Sequence, residues 1–414
     1  MRKIFAGREF GAGGGEPFEF TIFTATTSGV TSTNQQFRIP ILNAGATGGG
    51  DINFMVDWGD GTIRAVPETS ALHTYASAGV YTIKCYGNVR SWSFVAAQVE
   101  GLHNDAIKLQ TIENWGALEV TEESTFSGCT NLVAINSSDA PSFSVSTTPS
   151  PAGNKMFNGC TACTVWNNIS EWNVSGLQDC SSMFYGCSGL VGDLSNWDFA
   201  PVTSGSTQLM FAYCDLFDSD LSSWDMSNVQ YFKQMFLLAQ SFNNGGATGI
   251  STWDVSSSSS LEGVFGGAEV FNQPIGSWDT SNCTDMSVMF QSYGTPGIFN
   301  QSLSGWDVSN VTGMNAMFSG QGSFDQDISS WNVNSWVDFG SPTWFAPVSP
   351  FVLSQTNYDA LLVAWDAYTY PNWDPLGEVV YFGQSKYTAA PSPAATAHAS
   401  LIIKWGAISD GGPI

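Results

Sequence analysis

Seven tryptophans, Trp172, Trp197, Trp224, Trp253, Trp278, Trp306 and Trp331, follow one another at intervals of 25, 27, 29, 25, 28 and 25 residues. A unit this short cannot bury its own hydrophobic face, so neighbouring units must stack, and the repeat decides the architecture. A phenylalanine follows each tryptophan in phase. Phe184, Phe236, Phe265, Phe290 and Phe318 lie 12 residues on, and Phe211 and Phe345 lie 14 on. Methionine usually precedes it, as at Met156, Met183, Met210, Met235, Met289 and Met317. The clearest copy reads FNQPIGSWDTSNCTDMSVMF from Phe271 to Phe290, and its neighbour reads FNQSLSGWDVSNVTGMNAMF from Phe299 to Phe318. Weaker copies through Phe143 to Phe157 and Trp115 to Phe126 bring the total to about nine turns. At roughly 4.8 Å per stacked strand, nine turns would extend about 40 to 45 Å. Apolar residues recur in phase rather than with a sustained helical period. Short strands and tight turns are therefore expected, with at most one helical turn at each Met-Phe.

The WD-x-SNVT-x-M-x-x-MF pattern with FNQ resembles the tandem repeat of BspA-like bacterial surface proteins, a leucine-rich-repeat relative, over about Trp115 to Phe345. The tail extends the likeness. LSQTNYDALLVAW (Leu353 to Trp365), GQSKYTAAPSPAATAHASLI (Gly383 to Ile402) and ISDGG (Ile408 to Gly412) resemble the C-terminal cap that such arrays carry. A cap is needed physically, because the last turn would otherwise expose an apolar end and an unpaired edge. Upstream, FMVDWGDGT (Phe54 to Thr62), His73-Thr74-Tyr75 and Gly79-Val80-Tyr81-Thr82-Ile83 resemble a PKD-type β-sandwich over roughly Phe18 to Val95. The fold expected is mainly β: a flexible or anchoring arm (1–17), a PKD-like or Ig-like β-sandwich (18–100), a leucine-rich-repeat-like solenoid of about nine turns (101–350) and a capping region (351–414).

Charge excludes one class of partner. The chain has 12 basic and 36 acidic side chains, and between Ser91 and Ser385 the basic residues are Lys108, Lys155 and Lys233. Phosphate binding needs clustered Lys and Arg, so nucleic acid is not expected. Membrane insertion is not expected either, since no apolar run approaches the roughly 18 to 20 residues that span a bilayer. Met1-Arg2-Lys3-Ile4-Phe5 has the positive start of a signal peptide without the apolar stretch that should follow, so export by another route is expected.

Eight cysteines suggest disulfides, but their phase argues for buried thiols. Cys129, Cys160, Cys187 and Cys214 sit three residues after the repeat phenylalanine, where later copies have Ala239 and Ala268. Cys180 shares the slot of Met286, and Cys283 that of Val229 and Val311. Cys160 and Cys163 form a C-x-x-C that no second pair or nearby His completes as a metal site.

Asp198, Asp225, Asp254, Asp279 and Asp307 follow their tryptophans directly, with Asn173 and Asn332 in the same slot. Stacked carboxylates repel, so the slot must be solvated, hydrogen-bonded or bridged by calcium. Interchange with neutral Asn favours a turn in which the side chain caps backbone N–H groups. The tryptophan ladder is expected to be core, which leaves off-phase aromatics as candidates for ligand contact: Tyr185, Tyr213, Tyr231, Tyr293 and Trp336. His73, His103 and His398 lie far apart in sequence, and no G-x-S-x-G, H-E-x-x-H or P-loop occurs. No catalytic, cofactor or metal residue is singled out.

The expected function is a non-enzymatic, surface-displayed structural or binding protein. The first expectation is the exterior of a bacteriophage virion, as a fibre, spike or decoration protein in a larger assembly. A bacterial cell-surface or extracellular adhesin of the BspA-like class is the alternative, and a polysaccharide-degrading tailspike a second one. A host-surface glycan or protein would be the ligand. Arg2, Lys3, Phe5, Arg8 and Phe10, on a tether of Gly11 to Gly15, would anchor the chain to other virion or surface proteins.

Overall fold

The computed structural model describes residues 15–26, 32–41, 53–66, 71–90, 92–95, 105–143, 152–175, 177, 179–198, 205–335, 352–371 and 380–414. The chain forms two compact units, Met1–Gly192 and Asp193–Ile414. The described residues are mainly β strands and turns, with two α-helices near the C-terminus.

In the first unit, β1 (Phe18–Phe23) buries Phe18, Phe20 and Ile22 while Glu19 and Thr21 face partly outward. That is the period-two pattern of a strand with one core face. It pairs antiparallel with β6 (Val80–Asn88), which pairs with β3 (Asn53–Asp57), which pairs with β4 (Ile63–Ala65). A separate antiparallel pair joins β2 (Gln36–Ile39) to β5 (Ala71–Thr74). The WGDGT turn is held by its own carboxylates. Asp57 Oδ1 accepts from Gly59 N–H and Asp60 Oδ1 from Thr62 N–H, both at 3.0 Å. Gly59 is required there: its φ is +79°, and an added Cβ would lie 2.4 Å from the Thr82 carbonyl. The HTY segment packs on this turn. His73 stacks on Trp58 at 4.6 Å and bonds Asp60 at 2.8 Å, while Tyr75 donates to the Trp58 carbonyl at 3.1 Å.

The other edge of β1 does not stay open. β7 (Leu109–Asn114) pairs with it antiparallel, and β8 (Ala134–Ile135) and β9 (Val165–Trp166) then follow in parallel. The first repeats therefore grow off the edge of the N-terminal sheet, which covers the edge and gives the repeats a template. The cores merge as well. Phe18 meets Trp92, Trp115 and Phe126 with ring centroids 5.2 to 6.5 Å apart, and Phe126, Phe157 and Phe184 then stack in sequence at 5.5 and 6.0 Å. A fully buried ion pair pins the junction. Lys108 Nζ lies 3.3 Å from Asp105 and donates to the carbonyls of Ser32, Thr33 and Gln36. Asp105 in turn accepts from the backbone N–H groups of Ser32 and Arg38.

The second unit repeats one arrangement. Among the described residues, each copy from Trp197 to Trp306 buries its tryptophan, a Met-Phe or Val-Phe pair and the phenylalanine at the FNQ position. Phe211, Phe236, Phe265, Phe290 and Phe318 stack on one another at 5.6 to 5.9 Å. Phe217, Phe242, Phe271, Phe299 and Phe324 do so at 5.9 to 6.2 Å. A buried indole N–H needs an acceptor, and the preceding copy provides it. Trp224, Trp253, Trp278, Trp306 and Trp331 donate to the carbonyls of Leu194, Leu221, Ile250, Ile275 and Leu303 at 2.9 to 3.1 Å.

The Met-Phe segment forms alternating turns rather than a helical turn. Its N–H groups alternate between two partners. Gln234, Phe236 and Leu238 donate to Glu262, Val264 and Gly266 of the next copy, while Met235, Leu237 and Ala239 close turns within their own. Successive N–H groups turn to opposite sides with a left-handed residue two positions before the phenylalanine and, except at Ser292 in the Phe290 copy, another two positions after it. Leu209, Gln234, Val288 and Ala316 have φ of 52° to 58° before it, and Tyr213, Leu238, Gly267 and Gly320 have φ of 58° to 78° after it.

The FNQ motif forms a second ladder. Asn243 Oδ1 accepts from the Asn272 N–H, Asn272 Oδ1 from the Asn300 N–H, and Asn300 Oδ1 from the Asp325 N–H, each at 2.9 Å. The adjacent Gln273, Gln301 and Gln326 amides donate to the same oxygens at 2.8 to 3.1 Å. Asp218 stands at the head of this series and accepts from Asn243 and Gly245 N–H at 2.8 Å.

After the repeats come α1 (Gln355–Trp365) and α2 (Pro393–Trp405). α2 starts with Ser392 accepting from Ala395 N–H and Pro393 in the first turn, and it ends at Gly406 with φ of 89°. Asp410 ties the region together by accepting from Tyr358 Oη at 2.6 Å, lying 3.0 Å from His398 Nε2, and accepting from Gly412 N–H at 2.9 Å.

Candidate functional site

The residues at the repeat phase are built into the packing. Trp172, Trp197, Trp224, Trp253, Trp278, Trp306 and Trp331 are all buried. So are the eight cysteines, and all are free thiols. Cys160 and Cys187 donate to the carbonyls of Phe126 and Phe157 at 3.3 and 3.2 Å, so each thiol bridges to the preceding copy. Burial pushes the thiols of Cys85, Cys160, Cys163 and Cys180 far above the ordinary range, and that of Cys283 to about 11.

The aspartate slot makes turns. Asp225, Asp254, Asp279 and Asp307 accept through Oδ1 from the N–H two residues on, at Ser227, Ser256, Ser281 and Ser309, at 2.9 to 3.0 Å. Asn173 and Asn332 make the same bond at 3.2 Å, which explains why a neutral amide serves. The serine hydroxyl and its N–H together hold Asp225, Asp279 and Asp307 below the usual carboxylate range. A second series with the same geometry, Asp193, Asp220 and Asp327, was not singled out in the sequence, although each D-x-S stands four residues before a ladder tryptophan. Among the described residues no group of three or more His, Cys, Asp or Glu is placed to hold a metal ion. Among them, no helix is long and apolar enough to cross a membrane.

Of the off-phase aromatics, Tyr213 and Tyr231 are 39% and 54% exposed, while Tyr185 and Tyr293 are half-buried. Tyr185 belongs to the first unit and the other three to the second. Tyr213 and Leu238 occupy the left-handed position that is glycine at Gly128, Gly159, Gly186, Gly267 and Gly320. An L side chain costs on the order of 1 kcal/mol there. Leu238 and Tyr293 both lean over Gly267, where an added Cβ would lie 2.6 Å from the leucine and 3.0 Å from the tyrosine ring. Burial raises the Tyr293 phenol above its usual value, with Tyr213 and Glu262 adding to the effect. The structure thus brings Tyr213 and Tyr293 near each other and adds Leu238, which the sequence reading missed. An aliphatic residue in a repeat carries no mark until its backbone is seen to be left-handed. Tyr231 sits apart in its repeat, at the end of a short strand (Val229–Tyr231). Trp336 and the arm residues Arg2, Lys3, Phe5, Arg8 and Phe10 lie outside the described residues.

A family model described as "Mycoplasma protein of unknown function, DUF285" matches residues 152–248 and 246–353. The likeness is confined to the repeats. It spans a little under half of the 414 residues and takes in all of the Trp172 to Trp331 ladder. No curated protein and no solved structure matches the chain.

Proposed function

We propose that the repeats form a leucine-rich-repeat-like solenoid, headed by a PKD-type β-sandwich and closed by a C-terminal cap, that works without catalysis as a surface-displayed binding scaffold. One observation carries this reading. The phase-locked residues of each copy are buried in packing, whereas Tyr213 and Leu238 stand on backbone that glycine would adopt at lower cost, and Tyr293 leans beside Leu238 over Gly267. Side chains kept against local strain at the protein's surface fit ligand contact better than they fit stability. The ligand would be a host-surface glycan or protein, for which flat, partly exposed phenol rings are suited.

Display on a virion and display on a bacterial cell both fit such a scaffold. Mass spectrometry of purified particles, set beside surface shaving of intact cells, separates the two. Recovery only from the soluble interior of cells overturns both. Tyr213→Gly tests the site itself. It should leave the fold intact, because glycine is the usual residue in that position, and it should weaken adherence of the purified protein to target cells. Unchanged adherence removes Tyr213 from the site, and polysaccharide release by the wild type would favour the tailspike reading instead.

A further inference from the structure

The Asn ladder does not stop at the last FNQ-type copy. Asp325 occupies the rung position after Asn300, and its Oδ1 accepts from Ser354 N–H at 2.7 Å and from Asn357 Nδ2 at 2.9 Å. Asn357 Nδ2 also donates to the Asp325 carbonyl at 3.0 Å. These are the three bonds that Asn300 receives from the copy after it. Its Oδ1 accepts from Asp325 N–H at 2.9 Å and Gln326 Nε2 at 2.8 Å, and its carbonyl from Gln326 Nε2 at 3.1 Å. Asn243 receives the same set from Asn272 and Gln273. In a repeat, the backbone donor and the amide belong to adjacent residues. In α1 they lie three apart, at the N-cap Ser354 and at Asn357, and one helical turn brings them to the same places.

Asn243, Asn272 and Asn300 are neutral, whereas the two ends of the series, Asp218 and Asp325, are carboxylates, and Asp325 faces the first turn of an 11-residue helix. Unpaired N–H groups and the helix dipole favour a negative charge there. A second tie lies beyond the far end of α1, where Asn334 Oδ1 accepts from Thr369 and Tyr370 N–H at 3.2 Å. Asn334 belongs to the last tryptophan copy, so the segment is fastened to the repeats at both ends.

We infer that Ser354 and Asn357 of α1 form a helical terminal rung, docked on Asp325 as one repeat docks on another, so that the cap closes the array whatever the number of repeats before it. The surface that receives the cap is the rung, which every FNQ-type copy presents. This goes beyond the binding function proposed above and does not depend on it.

Hydrogen exchange of α1 in the full-length protein is the test. Asp325→Ala and Asn357→Ala should each speed exchange in residues 355–365 by about tenfold, as expected for loss of one or two hydrogen bonds. The double variant should lose little more than the worse single. Deleting residues 272–299 joins Phe271 to Asn300 and removes one copy, and it should leave α1 as protected as in the wild type. Full protection of α1 in Asp325→Ala, or additive losses in the double variant, would overturn the rung. Loss of α1 protection in a shortened protein that keeps its other repeats protected would overturn independence from repeat number. Should the shortened chain fail to fold, the substitution cycle still decides the first point.

Discussion

The early repeats of the first unit and the repeats of the second share their buried aromatic phase and their alternating Met-Phe turns, yet they keep register on the other side by different chemistry. In the first unit the bonds are backbone to backbone. Val133 N–H donates to Gln110 and Thr164 N–H to Val133, continuing the parallel strands β7, β8 and β9. In the second unit the corresponding work falls to the side chains of Asp218, Asn243, Asn272, Asn300 and Asp325. A strand ladder needs an edge to start from, and β1 provides it. A side-chain rung carries its own acceptor and its own donor, so each copy is the template for the next. The first arrangement tolerates any residue that keeps the strand, while the second demands Asn, Gln or Asp at fixed places.

Core deletions should give the largest effects, each confined first to its own unit. Trp278→Ala removes a buried indole together with its bond to the Ile250 carbonyl, and chemical denaturation should show a loss of about 3 to 5 kcal/mol. Lys108→Ala leaves the buried Asp105 carboxylate without its cation, with a loss of similar size, about 3 to 5 kcal/mol. Limited proteolysis should cut the second unit first in Trp278→Ala and the first unit first in Lys108→Ala. The reverse order would break the comparison.

Side-chain and backbone ladders should then separate. Asn272→Ala leaves the Asn300 N–H and the Gln301 amide without their acceptor, and should cost about 1 to 3 kcal/mol. Gln110→Ala keeps the carbonyl that Val133 uses and should stay within about 0.5 kcal/mol. Equal losses would mean that the two regions do not differ as described.

How much of this could be read from the sequence follows from the range of each interaction. The Trp and Phe ladders and the buried cysteines were legible because identity recurs in phase, and burial repeats with it. The aspartate turns were legible because Asn173 and Asn332 share their slot. The pairing of β1 with β7 was not, since it joins Thr21 to Thr111 across the whole N-terminal domain and leaves no local mark. FNQ was visible as a motif, but which atom of Asn272 meets which atom of Asn300 depends on stacking geometry. The left-handed backbone at Tyr213 and Leu238 was hidden because neither is glycine, so only part of the candidate surface emerged.

Smaller effects complete the series. All eight thiols should resist alkylation in the native protein and react after denaturation without reductant. Disulfide-linked peptides would contradict the stacked, reduced column. Asp279→Asn should change stability by less than about 0.5 kcal/mol at neutral pH. Because the folded pKa values of Asp225, Asp279 and Asp307 lie below the ordinary one, their contribution is present above the unfolded value near 3.8 and fades as pH falls through the folded values. Replacing all three by Asn should flatten the acid limb of a stability–pH curve. A large loss in Asp279→Asn, copied in the wild type by a chelator, would point to bound calcium instead.

The claim that side-chain rungs hold the second unit is tested most directly at the Asn300 amide, by hydrogen exchange in wild type, Asn272→Ala and Asn272→Asp. Asp218 and Asp325 already serve as rungs with a carboxylate, so Asp at 272 keeps the acceptor that Ala removes. The account predicts fast exchange at Asn300 in the alanine variant and near-native protection in the aspartate variant. Equal protection in all three proteins would contradict it.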